Sequence, residues 1–316
     1  MILKLSSLKD MFLFLLISFI SGAGWIFVPS QVIQIPLFFS ISYRFILSSL
    51  LILMIAKIRG DKLFDKSILW LIFFQGMVMF PLNYYLTYSA CQYSPSGLVG
   101  LISSMAVLPA YGVGVILKKY PLSLKILGAI GVSLLGLAFL FRKEISGYTH
   151  NNIGLLLSML SDLAAVLGIT FVPILKKRAK VSLLSITGQS MLIGGIVSFF
   201  IGFSQHHTLI YTLEINYILS LLILSFLTPL VFISFYYFSH KRGAVFASYV
   251  WVIAPIFSIL MSFLFKEYRP GLLDGVGIFL ILLSCLYVNR QVSVLSGEKE
   301  RRFRLFPTRA EKGYAS

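Results

Sequence analysis

The sequence predicts an all-α integral membrane protein in which ten transmembrane helices form two inverted five-helix repeats. Three observations support this prediction: an apolar composition, a one-sided distribution of basic residues and a repeat of five spans. Hydrophobic residues make up 58% of the chain and charged residues 12%, whereas about a quarter of the residues in a soluble domain are charged. The composition therefore indicates a chain that lies almost wholly in a membrane.

Ten segments are long and apolar enough to be transmembrane helices. A helix needs about 20 mostly apolar residues to cross a hydrocarbon layer of roughly 30 Å. The connections are short and leave no room for a soluble catalytic domain. The first span resembles a signal peptide, but its apolar run continues through Val28 and is too long for a signal core. The predicted spans are 11–29, 36–56, 67–89, 95–117, 122–141, 153–175, 182–203, 216–239, 244–265 and 270–289.

The basic residues orient these spans. Twenty-two of the 27 Lys and Arg residues fall on the side that holds both termini, and Arg44 lies inside the second span. Only Arg142, Lys143, Lys266 and Arg269 fall on the other side. Because basic residues are retained in the cytoplasm, both termini are expected there, with a bacterial inner membrane as the best fit. The net charge of +16 then indicates contact with anionic lipid at the cytoplasmic face and does not predict nucleic-acid binding.

The second half of the chain repeats the first. Residues 90–110 can be laid over residues 236–256 without a gap at an offset of 146. Since each repeat has five spans, an odd number, the second copy crosses the membrane in the opposite direction, as in many secondary transporters. The matched identities are Gly97 with Gly243, Val99 with Val245 and Pro109 with Pro255. The predicted units are residues 1–148, residues 149–292 and a basic cytoplasmic tail, residues 293–316, expected to be a flexible anchor.

Several residues in both repeats carry a resemblance to a known family. They are Arg44-Phe45, Ala90, Tyr93-Ser94-Pro95-Ser96-Gly97, Pro109, Gly128, Gly136, Gly243-Ala244, Ala247-Ser248, Pro255, Phe265-Lys266-Glu267 and Gly277. In their order and spacing, residues 10–290 resemble the EamA-type ten-helix transporters of the drug/metabolite transporter (DMT) superfamily. The resemblance implies a carrier of small metabolites without a prosthetic group. Two features depart from it: Lys118-Lys119 replaces a Gly-Glu-like pair, and Asp162 is not a family feature.

Two charged residues lie inside predicted spans. Arg44 is about eight residues into the second span and Asp162 about nine into the sixth, so a rise of about 1.5 Å per residue puts both at a similar depth. A charge near mid-bilayer costs roughly 2.5–3.5 kcal/mol and usually faces the protein interior or water. We expect both to line one cavity, where they pair when it is empty or hold opposite ends of a zwitterion. A packing ion pair, or Arg44 bonded to backbone carbonyls, is the structural alternative.

The other candidate substrate-binding residues lie at interrupted places in the spans. Proline frees a carbonyl and bends a helix, which can open a cavity in a transporter. An aromatic wall suits a flat or cationic organic substrate. Each residue has ordinary packing or a membrane-belt position as its alternative role. The candidates are Trp25 after two glycines, Asn83 and Tyr84 after Pro81, and Tyr249 and Trp251 before Pro255.

Together these features predict a secondary carrier that moves a small organic metabolite by alternating access. The Arg44 and Asp162 arrangement favours an amino acid or an amino-acid-derived substrate, with proton coupling and exchange both open. S-adenosylmethionine-type or nucleoside-like substrates are the alternative. An intramembrane enzyme or a membrane scaffold is the alternative from another class, but no His-Glu-x-x-His or Gly-x-Ser-x-Gly motif occurs. No enzymatic activity, cofactor or metal site is expected.

Overall fold

A computed structural model gives the fold of most of the chain. It describes residues 8–94, 96–119, 121–140, 142, 152–178, 180–264 and 271–305. Within these residues the regular structure is helical, without a β-strand. The residue Pro95, the Phe265-Lys266-Glu267 motif and the predicted boundary between residues 148 and 149 lie outside the described part.

The described residues form ten helical segments, each of which coincides with a predicted span. Three of the segments are interrupted by a tighter or wider helical turn. They are α1 (Leu8–Gly24, Trp25–Phe27 and Val28–Ile33), α2 (Leu37–Ile58), α3 (Lys66–Ile68, Leu69–Met77, Val78–Leu82 and Asn83–Tyr93), α4 (Ser96–Ser103, Ser104–Ala106 and Val107–Ile116), α5 (Leu124–Leu140), α6 (Asn152–Arg178), α7 (Leu183–His206), α8 (Ile215–Arg242), α9 (Ala244–Leu264) and α10 (Leu272–Leu305).

Helix length and composition agree with a membrane protein. By these two criteria α1, α2, α3, α6, α7 and α8 are long and apolar enough to cross a membrane. The other four segments contain shorter apolar helices of 10–17 residues. In α4 this apolar helix is Ser104–Ile116, which begins with the turn Ser104–Ala106.

The last helix is longer than predicted. It continues to Leu305, so residues 293–305 of the predicted cytoplasmic tail are helical. Glu, Lys, Arg and Leu are frequent in this stretch, and all four favour helix. Its 34 residues make α10 about 50 Å long at 1.5 Å per residue, which exceeds the roughly 30 Å of the hydrocarbon layer.

The helices pack in a pattern that relates the two halves of the chain. α2 packs on α7, and α5 packs on α10. α1 packs on α8 and α9, and in the matching contacts α6 packs on α3 and α4. Exchanging each helix for the one five places away leaves this set of contacts unchanged. The predicted architecture of two five-helix repeats is therefore confirmed.

The direction of the helices shows that the repeats are inverted. At one end of the bundle, which we call the basic face, the Asp10 carboxylate at the start of α1 accepts a bond from Lys241 Nζ at the end of α8 (2.7 Å). At the same end the Asp65 carboxylate before α3 accepts the Lys180 N–H that follows α6 (2.8 Å). α1 thus begins at the basic face, whereas α6 ends there and begins at the opposite end, the far face.

Two glycines let the last helices of the repeats meet closely. A Cβ atom added at Gly136 of α5 would lie 2.7 Å from the carbonyl oxygen of Gly277 in α10. A Cβ atom added at Gly277 would lie 2.7 Å from the carbonyl oxygen of Gly136. Because no side chain fits at either position, α5 and α10 touch through their backbones, as small residues allow in membrane helices.

Three prolines lie inside continuous helices of the second repeat, in α6, α8 and α9. Each lacks an N–H and leaves the carbonyl four residues earlier without its helical donor. In each case a serine hydroxyl from another helix donates to that carbonyl, so the backbone is satisfied without water. Ser239 donates to the Ile169 carbonyl that Pro173 leaves free (3.0 Å). Ser48 donates to the Ser225 carbonyl that Pro229 leaves free (2.9 Å), and Ser104 donates to the Trp251 carbonyl that Pro255 leaves free (3.0 Å).

Candidate functional site

A cavity lies in the middle of the bundle, where helices of both repeats meet. The space open to the centres of water molecules is about 130 Å³. Aliphatic and aromatic side chains form most of its wall, together with an arginine and an aspartate. Six of the seven predicted substrate-binding residues line it: Trp25, Arg44, Asn83, Tyr84, Asp162 and Trp251.

Arg44 of α2 is held at the cavity wall by two hydroxyl groups. Its Nε and Nη2 donate to Thr228 Oγ1 of α8 at 3.0 and 2.8 Å, and its Nη1 donates to the Tyr88 hydroxyl of α3 at 2.8 Å. These bonds use three of the five N–H groups of a guanidinium. One N–H on each terminal nitrogen therefore has no partner among the described residues, although the side chain is only 7% exposed.

Aromatic rings surround the same guanidinium. Arg44 Cζ lies 5.0 Å from the ring centroid of Tyr84 and 5.7 Å from that of Phe45. The Tyr84 and Phe45 rings in turn meet edge to face at 4.6 Å. Such cation–π contacts stabilise a desolvated charge by about 1–2 kcal/mol. The rings therefore compensate part of the cost of keeping Arg44 away from water.

Asp162 of α6 is an acidic side chain of the cavity wall. Its side chain is 5% exposed, and the hydroxyl of Ser103 in α4 hydrogen-bonds to its carboxylate. Among the residues that line the cavity in the described chain, Asp162 is the one acidic side chain. A buried carboxylate that has one hydroxyl as a partner is costly unless a further positive or donor group approaches it.

Arg44 and Asp162 do not form the ion pair that the sequence led us to expect in an empty cavity. The ion pairs within 4.0 Å among the described residues lie at the two ends of the bundle instead. Arg44 has hydroxyl partners on α3 and α8, which already orient it. The alternative that it bonds backbone carbonyls is wrong for the same reason. The wall thus carries a basic and an acidic side chain that are not paired with each other.

Trp25 occupies a short turn that interrupts α1 just beyond Gly24. A Cβ atom added at Gly100 of α4 would lie 3.0–3.1 Å from three atoms of the Trp25 indole. The Trp25 indole therefore packs directly against Gly100, and no larger residue fits at this position without moving the ring. The sequence alone gave no signal for this role of Gly100.

Asn83 follows a wide turn of α3. The turn Val78–Leu82 is a π-helix and contains Pro81, which cannot donate a backbone bond. Asn83 Nδ2 donates to the carbonyl of Met79 (3.3 Å), and the Thr87 hydroxyl donates to the Asn83 carbonyl (2.9 Å). Turns of this kind are frequent at functional sites, and this one gives the cavity a polar edge.

Trp251 and Tyr249 lie on different sides of α9. The Trp251 ring packs 4.4 Å from the Phe235 ring at the cavity wall. Tyr249 is not among the lining residues; its hydroxyl shares a bond with Ser284 Oγ of α10 (3.2 Å). Two residues apart on a helix means about 200° of rotation, so the two side chains cannot face the same cavity. The structure therefore places Tyr249 outside the predicted site.

Several polar residues of the wall were not predicted from the sequence. Tyr88 comes one helical turn after Tyr84, and Thr228 immediately precedes Pro229, so both had a weak positional signal. Ser21 had none. Its hydroxyl oxygen is buried without a protein partner among the described residues, and it lines the cavity.

Packed side chains separate the cavity from the basic face. Phe14, Phe238 and Phe246 form a cluster with ring centroids 5.3–5.8 Å apart. Beyond it, Lys241 Nζ and the Asp10 carboxylate join α8 to α1. At the basic face, α1, α8 and α9 are thus packed against one another.

The comparison with protein families agrees with this architecture. The sequence profile of the EamA-like transporter family matches twice, over residues 8–142 and residues 152–290. The chain belongs to the EamA-like transporter family. The resemblance to EamA-type transporters is thereby confirmed, and the protein is one of the membrane transporters of small solutes. Members of this family are transporters and not enzymes.

The comparisons with individual proteins show the fold and no more. No curated protein matches the chain. A solved crystal structure of a protein aligns with a TM-score of 0.69 and 15% sequence identity, and the alignment covers 89% of this chain and 97% of that chain. At this identity the likeness is one of fold.

Proposed function

We propose that this EamA-like transporter is a secondary carrier for a small zwitterionic metabolite, most favourably an amino acid or an amino-acid-derived compound. The observation that supports the proposal is the presence of Arg44 and Asp162 on the wall of one buried cavity. Since they are not paired with each other, both charges can act on a ligand. A molecule with a carboxylate and an ammonium group is complementary to this wall.

The carboxylate of the solute would bind Arg44. One unused N–H on each terminal nitrogen is the number needed for a two-point contact with a carboxylate. Hydrogen bonds to charged groups contribute about 1.5–3 kcal/mol each. Thr228 and Tyr88 hold the guanidinium in place, so little side-chain freedom is lost when the solute binds.

The ammonium group of the solute would bind Asp162. The unpartnered hydroxyl of Ser21 offers a further hydrogen bond. Trp25 and Trp251 would pack against the apolar part of the solute. Asp162 is also the carboxyl group in the cavity that could take up a proton, so proton coupling and solute exchange both fit this site.

Transport would follow alternating access of the two inverted repeats. We assign the basic face to the cytoplasm because basic residues are retained there, which puts both termini on the cytoplasmic side of a bacterial inner membrane. The closed Phe14, Phe238 and Phe246 cluster would then be the cytoplasmic barrier. Anionic lipid is the expected neighbour of this face.

A second candidate substrate class is an S-adenosylmethionine-type or nucleoside-like compound. The aromatic rings of Trp25, Tyr84 and Trp251 at the cavity favour it, because flat rings and cations bind well to aromatic faces.

Counterflow in proteoliposomes tests the proposal. Vesicles are preloaded with unlabelled amino acids, nucleosides or S-adenosylmethionine, and uptake of the labelled compound is followed with and without a pH gradient. We expect stimulation by an amino-acid preload. If only a nucleoside preload stimulates uptake, the zwitterion proposal is wrong and the second candidate substrate class is favoured. Folded protein that shows no counterflow with any compound would contradict the proposal and favour a scaffold or an intramembrane enzyme.

A further inference from the structure

Buried oxygen atoms without protein partners occur together on the basic side of the cavity. Gln75 Oε1 of α3 and Ser190 Oγ of α7 are buried, and neither has a hydrogen-bond partner in the described chain. Gln75 Nε2 donates to the Tyr236 hydroxyl. We call Gln75, Ser190 and Tyr236 the basic-side cluster. Such unsatisfied groups are uncommon in folded proteins and call for an explanation.

The basic-side cluster lies directly beneath the cavity wall. α3 and α7 cross at this point, since a Cβ atom added at Gly76 would lie 2.8 Å from the carbonyl oxygen of Ser190. The Tyr236 ring lies 6.3 Å from the ring of Phe232, and Phe232 lines the cavity. The Phe232 ring thus stands between the cavity and the cluster.

The inverted repeat relates the cluster to the charged site. Arg44 follows the first residue of α2 by seven positions, and Ser190 follows the first residue of α7 by the same number. α2 and α7 are matching helices of the two repeats. Ser190 therefore takes, on the basic side, the place that Arg44 takes on the far side.

We propose that the basic-side cluster is a second binding station for the transported solute, reached from the cavity when Phe232 moves aside and open in turn to the basic face. The inference rests on the proposed function, because it concerns the route of the same solute. The amide and hydroxyl groups of the station are neutral and bind a zwitterion through hydrogen bonds alone. A solute that has left Arg44 and Asp162 would be held loosely there and released.

A first test uses the fact that removing an unpartnered hydroxyl does not weaken the fold. Ser190→Ala is expected to keep or raise the melting temperature while it lowers the initial counterflow rate about threefold, the effect of one lost hydrogen bond. Ser42→Ala is the matched control, because Ser42 Oγ is also buried without a partner in the described chain but does not line the cavity. We expect this control to transport like the wild type.

A second test measures access to the station from the basic face. Cysteine replaces Ser190 in a variant in which Cys91 and Cys285 have been changed to alanine and which still shows counterflow. A membrane-impermeant thiol reagent is added at the basic face. We expect Ser190→Cys to react, with saturating solute slowing the reaction, although Ser190 is fully buried in the structure. Ser198→Cys is the control on the same helix: Ser198 is equally buried, lies two turns nearer the far face and should not react.

The outcomes separate the station from the proposed function. If the wild type shows counterflow and Ser190→Ala transports like Ser42→Ala, the proposal of a second binding station is wrong, whereas the proposal of a zwitterion carrier stands. If Ser190→Cys reacts with the thiol reagent no faster than Ser198→Cys, the proposal of a second binding station is also wrong. Absence of wild-type counterflow would overturn both proposals.

Discussion

Arg44 and Ser190 occupy matching positions in the two repeats, yet their surroundings differ in chemistry. Arg44 carries a charge at the wall of the cavity and shares that wall with Asp162. Ser190 is neutral, fully buried and beside other neutral groups. The backbone is therefore nearly symmetric whereas the binding chemistry is not. Under the proposed function, the solute would be held at the charged position on the far side and would only pass the neutral position on the basic side.

The third helix of each repeat shows a related difference. Pro81 in α3 lies within a wide π-helical turn, whereas Pro229 leaves α8 an α-helix because Ser48 donates to the carbonyl that the proline frees. Thr228 beside Pro229 then gives Arg44 a rigid partner. One proline thus shapes an irregular cavity edge, and the other supports the charged residue.

The largest expected effect comes from Arg44→Lys. Lysine keeps the positive charge but cannot bind Thr228 and Tyr88 and still offer two N–H groups to a carboxylate. We expect initial counterflow rates at low solute concentration to fall about 10- to 100-fold, as for the loss of a charged hydrogen bond.

Arg142→Lys is the matched control, because Arg142 pairs with Asp274 at the far face and does not line the cavity. It should keep near-wild-type rates. If Arg44→Lys keeps the wild-type rate, Arg44 does not bind the solute and the contrast with Ser190 has no functional meaning.

A smaller effect is expected from Gly100→Ala, which changes the size of the cavity without touching its charges. The added methyl group would push the Trp25 indole into the cavity, since it would lie 3.0–3.1 Å from the ring. We expect KM for bulky substrates to rise about fivefold relative to the smallest substrate.

Gly112→Ala on the same helix is the control, because a Cβ atom there would meet nothing within 4 Å. Equal selectivity in the two variants would show that Gly100 does not set the position of the indole. Adding Trp25→Phe to Gly100→Ala should restore access for bulky substrates.

Asp10→Asn is expected to loosen the packing of α1 against α8 at the basic face. It therefore tests whether Ser190 becomes more accessible from that face. The variant keeps an acceptor for the Tyr237 hydroxyl but loses the ion pair with Lys241. A partly exposed pair contributes up to about 1 kcal/mol. We expect thiol labelling of Ser190→Cys from the basic face to become about two- to fivefold faster. An unchanged labelling rate would mean that this pair does not control the closed state.

The smallest effect concerns Asp65, which joins two connections at the basic face and lies far from the site. Its carboxylate accepts bonds from the Ser67 hydroxyl and from the Lys180 N–H, and these lower its pKa to about 2. Since the pKa is near 4 in an unfolded chain, the stabilising effect is present above about pH 4 and is lost as the pH falls toward 2. Asp65→Asn should lower the melting temperature slightly at pH 7. That difference should shrink between pH 5 and pH 3, and a difference independent of pH would contradict the assignment.

Much of the fold and site could be predicted because a membrane restricts which structures a chain can form and where its polar residues can lie. Apolar length gave the ten spans, and polar or irregular residues in an apolar span must face the protein interior. That rule found Arg44, Asn83 and Asp162. It gave no side-chain direction for Tyr249, which points away from the cavity although it is two residues from Trp251.

The partners of the site residues could not be predicted. Arg44 is bound by Thr228 of the other repeat, and no local pattern reports a contact between residues so far apart. For the same reason the sequence suggested a direct pair with Asp162. The unpartnered hydroxyls of Ser21 and Ser190 also become visible only when neighbouring helices are in place.

The most direct test of the zwitterion site compares one amino acid with two analogues that each lack one charge. Once an amino acid that supports counterflow is known, its deaminated carboxylic acid and its decarboxylated amine are used as preloads. We predict that only the zwitterion drives rapid counterflow, because each analogue leaves either Asp162 or Arg44 without a partner. Equal counterflow with either analogue would contradict the claim that both charges bind the solute.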